Sequence, residues 1–501
     1  MPESHKQRTL RGFNWNFLLV FVQTLLGFGV IIVLARLLSP ADFGLLAIAM
    51  VFIGFAELVA ALGMGPAIIQ FKQLQESHLQ VATTLSVLMG TTLLVLFWLT
   101  ADVIADFFGD LRIADVLRAL SVGMWFSALA AVSRGLLMRR LDFKSLFKVD
   151  ITAYIFGYAG VGIVLAVLGY GVWSLVMGTV TSLLLSAFAL LYLSPPRLRP
   201  SLARKEVADL IGFGGGFSLN NTINYLAGSL DSIVIGKYLN PSLLGLYNRA
   251  YHLIIMPLNK IAAALTPVMF PSYAEIQEDR TRLRRAYLRV VNATALLTFP
   301  ILAGLAVSAE YVMAGLYGEN WRPASGALRI LSLAGMLKVM FHLAGPVAQT
   351  TGYIFAEVRR QSIYFLILII GCLALVPYGI EAVGGAVVLG SLWLYLSMAQ
   401  LTSRIVGCTW ADFFRAQAPG IVISGVVVLA QLLAIGAAQW WEPLAPPLML
   451  AVLVAVSALA FALGFFHLPE NLVGDMPAWL ALHYAHHFPA PVRAWLVRRF
   501  S

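Results

Sequence analysis

The sequence predicts an all-α, polytopic membrane protein of about 14 transmembrane helices: two pseudo-symmetric six-helix lobes followed by two additional C-terminal helices. Three observations predict it. The composition is 60% hydrophobic and only 12% charged, far from the usage of soluble domains. Apolar runs of about 20 residues, the length that spans a hydrocarbon core about 30 Å thick, recur from end to end. Finally, a ten-residue phrase occurs twice. Arg36-Leu37-Leu38-Ser39-Pro40-Ala41-Asp42-Phe43-Gly44-Leu45 returns as Lys237-Tyr238-Leu239-Asn240-Pro241-Ser242-Leu243-Leu244-Gly245-Leu246.

The spans follow in order. Span 1 (13–37) carries Asn16, Gln23 and Gly27, and the first phrase turns it into span 2 (43–65), which holds Glu57. Spans 3 (79–101), 4 (114–137), 5 (149–168) and 6 (171–194) are nearly unbroken apolar runs. The Pro-rich, basic stretch Ser194-Pro195-Pro196-Arg197-Leu198-Arg199-Pro200 then reads as a linker. Span 7 (208–235) opens on Gly212-Phe213-Gly214-Gly215-Gly216, which suits a bend, and carries Asn220, Asn224, Gly228 and Asp231. The second phrase leads into span 8 (243–270), with Arg249, His252, Lys260 and Pro267. Spans 9 (287–309) and 10 (322–350) follow, the latter with Lys338, His342, Gly345 and Gln349. Spans 11 (360–379), 12 (382–405), 13 (416–438) and 14 (444–466) complete the set. The tail alternates polar residues with Trp479, Leu480, Trp495 and Phe500 and is expected at the inner interface.

The register of the repeat extends outward: Gln23 matches Asn224, Gly27 matches Gly228, and Pro66 matches Pro267. A second echo, Leu117-Arg118-Ala119-Leu120-Ser121 against Leu328-Arg329-Ile330-Leu331-Ser332, lies ten residues further out of step. The expected organisation is an N-terminal lobe at 1–196, a C-terminal lobe at 197–405, two additional spans at 406–468 and a cytoplasmic amphipathic tail at 469–501. Six is even, so both lobes start on the same side and the repeat is parallel. Duplicated bundles of this kind enclose a shared central site, and they point to a transporter.

The net charge of +10 orients the chain rather than marking a nucleic-acid binder. Of the 34 Lys and Arg residues, 25 fall on one side of the fourteen-span arrangement, with clusters at Arg134–Lys148, Arg197–Lys205 and Arg280–Arg289. That asymmetry places both termini in the cytoplasm. Two cysteines, Cys372 and Cys408, give no disulfide framework or metal set, and no metal or bound cofactor is expected. The helical spacing of His483, His486 and His487 has no acidic or Cys partner nearby. No nucleophile elbow, phosphate loop or paired-carboxylate motif occurs.

Polar groups in hydrocarbon are costly and normally face a cavity or a partner. Asn220, Asn224 and Asp231 share one helical face, as do Asn16, Gln23 and Gly27; interhelical hydrogen bonding is the alternative role for these groups. Arg249 and Lys260, eleven residues apart, are nearly eclipsed on span 8. Lys338, His342 and Gln349 follow helical spacing on span 10. A cationic inner face in the second lobe suits an anionic cargo such as a phosphate, a diphosphate or an acidic sugar. Glu57 and Asp231 are candidate carriers of a coupling proton or sodium ion.

The phrase Leu34-Ala35-Arg36-Leu37-Leu38-Ser39-Pro40-Ala41-Asp42-Phe43-Gly44-Leu45 resembles the polysaccharide-transporter family. So do Asp231-Ser232-Ile233-Val234-Ile235-Gly236 and Leu244-Gly245-Leu246-Tyr247-Asn248-Arg249-Ala250-Tyr251. These are Wzx-type O-antigen and exopolysaccharide flippases, within the superfamily that includes lipid II flippases and multidrug extruders; the colanic-acid-exporter branch is most similar. The resemblance covers roughly residues 10–410. It implies a two-lobed bundle with a cationic cavity that moves undecaprenyl-diphosphate-linked oligosaccharide across the bacterial inner membrane by alternating access, with ion-gradient coupling. A polysaccharide polymerase and a chain-length regulator are the protein partners it implies. The competing functions are a multidrug-extruder-type cation antiporter, which would favour acidic cavity residues, a lipid II flippase, and a membrane polysaccharide polymerase or ligase. The last would need a large outer loop, and the longest outer segments here are about a dozen residues.

Overall fold

The doubled phrase folds as two helix starts on one plan. The computed structural model describes residues 22–61, 75–196, 200–203, 207, 225–441 and 444–467. Helix α1 (Val22–Leu37) ends just before Ser39, and α2 (Pro40–Ala61) begins there. The Ser39 backbone N–H and Oγ–H both donate to Asp42 Oδ2, at 2.9 and 2.6 Å, and the Asp42 N–H points back at Ser39 Oγ, 3.4 Å away. This reciprocal cap satisfies donors that the helix start would leave orphaned, and Pro40 occupies the first helical position, where an N–H is not needed. After α7 (225–238), Asn240 Oδ1 accepts the Leu243 N–H at 2.8 Å, and Pro241 opens α8 (Pro241–Ile276). Ser39 and Asn240 thus do the same work in the two copies.

The two copies also touch. A Cβ on Gly44 would lie 1.7 Å from the Pro241 carbonyl oxygen, and one on Gly245 would lie 1.8 Å from that of Pro40. The first turns of α2 and α8 therefore meet backbone on backbone, an approach only glycine permits. Tyr225 of α7 also reaches α2: its Oη lies 3.1 and 3.0 Å from the carbonyls of Met50 and Val51 and covers Gly54.

The chain divides into two compact units, Met1–Leu246 and Tyr247–Ser501. In the first, α3 (Glu76–Phe108) ends at Gly109, whose φ of 74° lets the chain reverse. Then come α4 (Arg112–Arg139), α5 (Phe143–Val167) and α6 (Val172–Leu193). Residues Tyr154–Val161 of α5 form a π-helical stretch, within which Gly157 rides on the α6 backbone; a Cβ there would be 2.4 Å from Ser182 Cα. Arg134 grips Asp150 through two contacts of 2.6 and 3.0 Å and reaches Ser186 Oγ at 3.3 Å, tying α4, α5 and α6 together.

In the second unit α8 continues into α9 (Arg280–Val307), short helical segments over 309–324, and α10 (Ser325–His342). Next are α11 (Ala344–Thr350), α12 (Ile354–Leu375), α13 (Ile380–Val406), α14 (Trp410–Trp441) and α15 (Pro446–His467). Helices α9 and α14 press together where Gly420 meets the Ala295 carbonyl, 2.5 Å from where a Cβ would be. Arg284 pairs with Asp412 at 2.7 Å at one end of this seam. The buried Tyr287 hydroxyl bonds Thr402 of α13 at 3.1 Å. Gln431 of α14 donates to Ser457 Oγ of α15 at 2.7 Å, so the two additional helices are fastened by polar contact as well as by packing.

Among the described residues there is no strand, and eleven helical segments are long and apolar enough to cross a membrane. They coincide with expected spans 2–6 and 9–14. The first and seventh are described only from residues 22 and 225 onward, and the eighth is helical but interrupted by Arg249, His252, Asn259 and Lys260. Large apolar side chains such as Leu99, Val103, Ile370 and Leu433 stand 65% or more exposed, as lipid-facing positions must. Expected span 11 starts early: α12 begins at Ile354, so Glu357 belongs to a helix rather than to a loop.

Candidate functional site

Gly335 decides how closely α8 and α10 run. A Cβ on it would be 2.6 Å from Ile254 Cγ2, so a larger residue would push the helices apart. Three residues on, Lys338 is only 8% exposed. Its Nζ donates to Tyr251 Oη at 3.2 Å and lies 4.9 Å from the centroid of the same ring. Tyr251 in turn stacks on the fully buried Tyr247, with ring centroids 6.3 Å apart and planes 9° from parallel. An ammonium held against an aromatic ring inside a low-dielectric segment is partly compensated, yet keeps its charge available to an anion.

The other cations predicted from sequence lie on the same two helices. Arg249 is part-buried on α8, near enough to His252 and Tyr317 to act on both electrostatically. His342, one turn beyond Lys338, is exposed, and its ring lies 4.6 Å from that of Phe341. Lys260 is exposed further along α8. Gln349 sits past a break in the helix, on α11, where its amide donates to Glu357 Oε2 at 3.3 Å. The structure therefore joins Lys338 to α8 through Tyr251 and gives Gln349 a carboxylate partner.

In the first unit, Gln23 is half-buried on α1, and Gly27 on the next turn faces the Tyr154 hydroxyl, 3.7 Å from where a Cβ would be. Glu57 is exposed near the described end of α2, within electrostatic reach of Tyr225. Asp231 is 6% exposed and accepts the Ser232 N–H at 2.8 Å. Asn16, Asn220 and Asn224 lie outside the described residues, as do Gly212–Gly216 and the tail histidines. Among the described residues no group of three His, Cys, Asp or Glu is placed to hold a metal ion.

Two cavities in the second unit stand apart from the Lys338–Tyr251 contact. One, of 390 Å³, is an apolar groove among Phe299, Leu333, Met340, Tyr395, Phe414 and Ile421. The other, of 360 Å³, is mixed: the polar groups of Glu310, Glu319, Arg322 and Gln439 stand beside the apolar Leu444 and Met449.

A profile of the polysaccharide biosynthesis protein family matches residues 33–326, more than half of the chain and both copies of the doubled phrase. The chain belongs to that family. Among polysaccharide biosynthesis proteins it is 29% identical to the lipopolysaccharide biosynthesis protein WzxC of Escherichia coli K12, over 67% of this chain and 68% of that one. It is 27% identical to the succinoglycan biosynthesis transport protein ExoT of Rhizobium meliloti over 86% of each chain. It is 28% identical to the teichuronic acid biosynthesis protein TuaB of Bacillus subtilis, over 60% and 62%. The fold is shared with the lipid II flippase MurJ in an inward closed conformation (TM-score 0.69, 14% identity, 91% and 98% coverage) and an inward-facing multidrug resistance MATE family transporter (0.62, 21%, 77% and 95%). This polysaccharide biosynthesis protein is a multi-pass membrane transporter of the Wzx type, not an enzyme.

Tyr251, Gly335 and Glu357 did not stand out in the sequence as the basic residues did. Gly335 stands three residues before Lys338, a small residue beside a buried charge, and that spacing was the available signal. Glu357 was hidden by the Arg359-Arg360 pair, which pulled the expected span boundary past it.

Proposed function

We propose that this chain flips undecaprenyl-diphosphate-linked oligosaccharide from the cytoplasmic to the periplasmic leaflet of the bacterial inner membrane, by alternating access, for exopolysaccharide, O-antigen or capsule synthesis. The observation that carries the reading is Lys338: an ammonium 8% exposed, within a segment apolar enough to span the bilayer, held by Tyr251. A buried charge is retained where it has a task, and in a transporter of the polysaccharide family the matching task is to meet the diphosphate of a lipid-linked sugar. Arg249 and Lys260 on α8 add positive charge on the neighbouring helix. A planar guanidinium suits bidentate phosphate contact, while an ammonium acts as a point charge. Neutralising the diphosphate lowers the cost of bringing its charge into the low-dielectric interior.

The test is reconstitution of the full chain with a fluorescent lipid-diphosphate-linked oligosaccharide, comparing wild type with Lys260→Ala and Lys338→Ala. Wild type is expected to move the probe between leaflets and both variants to slow it. A wild type that leaves the probe in place while transporting cationic dyes would replace this reading with the multidrug-extruder one.

A further inference from the structure

We propose that Glu357, flanked by the amides of Gln349 and Gln361, is the binding site for a small monovalent cation, a proton or sodium, whose uptake is coupled to movement of the anionic cargo; the coupling half rests on the flippase reading above. Glu357 lies in the first turn of α12 and is 7% exposed. Its Oε2 accepts the Gln349 amide N–H from α11 at 3.3 Å, and its Oε1 accepts the Gln361 amide N–H, one turn on, at 3.2 Å. Charge-assisted hydrogen bonds to a carboxylate are normally near 2.7–2.9 Å. Two long, neutral amide contacts compensate a bare buried charge poorly. A bound proton or a bound cation supplies what is missing.

The surroundings are consistent with exchange. A Gln amide offers N–H to an ionised carboxylate and, turned over, its oxygen to a cation or a carboxylic O–H. Both flanking groups are of this reversible kind. Gly345 brings the α11 backbone close, with a Cβ there 3.2 Å from Oε1, so the pocket is narrow. Helix α11 has no titratable residue. On α12, Arg360 is turned to the carbonyls of Ser397 and Ala356, at 3.1 and 2.9 Å, and Arg359 is its neighbour. On α13, Arg404 acts on Arg360, Tyr395 bonds Gln417, and Glu381 faces Gly326. None of these side chains reaches Glu357.

A mechanical link to the cationic site is also present. Lys338 and His342 close α10, and Gln349 lies on α11 just beyond the break at Leu343. Pro346 in α11 has no N–H to give the His342 carbonyl, which explains why the helix breaks there. Occupation of Glu357 therefore acts on the short segment directly attached to the helix that carries Lys338.

The experiment uses the full chain in proteoliposomes, with Glu357→Gln and Glu357→Asp. Cation binding is read without cargo, as a carboxyl infrared band that responds to pH and as retention of radioactive sodium. Leaflet accumulation of the lipid-linked probe is read under an imposed pH or sodium gradient. Wild type should bind one of the two cations and, at one proton or sodium per cargo, a tenfold gradient should sustain a leaflet ratio of up to about ten. Glu357→Gln should lose the binding signal and return the ratio to about one while remaining monodisperse. If Glu357→Gln does not fold, Glu357→Asp should fold and shift the midpoint of binding. Identical binding signals in wild type and Glu357→Gln, or an unshifted midpoint in Glu357→Asp, overturn the proposal. A wild type that binds the cation at Glu357 but never moves the probe refutes the flippase reading and leaves the site standing.

Discussion

Replacing Gly44 by alanine should separate the two helix starts that the doubled phrase builds. The new methyl would lie 1.7 Å from the Pro241 carbonyl oxygen, half the 3.4 Å at which ordinary contact begins. That oxygen belongs to the backbone at a capped helix start, so it cannot swing aside as a side chain would, and α2 and α8 must part. Overpacking of this sort costs about 1–3 kcal/mol, and a rigid obstacle puts it at the upper end. Alanine returns about 1 kcal/mol of helix propensity. The net loss is about 2 kcal/mol, roughly a thirtyfold change in the folding equilibrium. Gly245→Ala meets the Pro40 carbonyl at 1.8 Å and should behave alike. The pair should cost less than the sum, because helices already parted have room for the second methyl. Thermal unfolding of the purified chain in detergent, with Gly29→Ala as the control that meets nothing within 4 Å, reads the effect. Equal midpoints for Gly44→Ala and Gly29→Ala would mean that the contact between α2 and α8 carries no stability.

The remaining predictions are independent of that contact. Tyr251→Phe keeps the ring under Lys338 but removes the hydroxyl, and should weaken probe binding by about 0.5–1.5 kcal/mol, less than Tyr251→Leu, in a binding titration of the reconstituted chain. Arg134→Gln leaves the largely buried Asp150 without its partner and should cost about 1–2 kcal/mol of stability, between the exposed and buried limits; adding Asp150→Asn should recover part of it in the same unfolding assay. The hydrogen bond from the Arg112 side chain holds the Asp110 carboxyl below the usual carboxylate range. Its stabilisation is therefore full near neutral pH and fades as pH falls through the depressed value. Asp110→Asn should melt below wild type near neutral pH and converge with it in acid; a gap that does not change with pH contradicts this.

Much of the fold was legible because a bilayer imposes one strong rule: backbone groups must be satisfied within each apolar run. Expected spans 2–6 and 9–14 meet helices at their positions for that reason. The doubled phrase was legible as a turn because Ser39-Pro40 and Asn240-Pro241 pair a capping side chain with a proline at the first helical position. That the two copies meet was not legible, since a repeat reveals equivalence and not contact. Gly44 and Gly245 read as ordinary turn glycines until the carbonyls of Pro241 and Pro40 appear against them. The same limit applied to the site. Lys338 stood out as a charge in an apolar run, but its partner Tyr251 lies eighty-seven residues away and resembled any other aromatic in a span. Glu357 was lost to a boundary, because a basic pair at a helix start looks like the edge of the membrane while the helix itself runs on beneath it.

Whether Lys338 serves the diphosphate is read by leaflet translocation of a fluorescent lipid-diphosphate-linked oligosaccharide by the purified, reconstituted chain, with the same lipid carrying a neutral head group as comparison. Wild type should move the diphosphate-linked probe in preference to the neutral one, and Lys338→Ala should abolish the preference while the protein remains folded. Equal movement of both probes by wild type, or an undiminished preference in Lys338→Ala, would contradict that role.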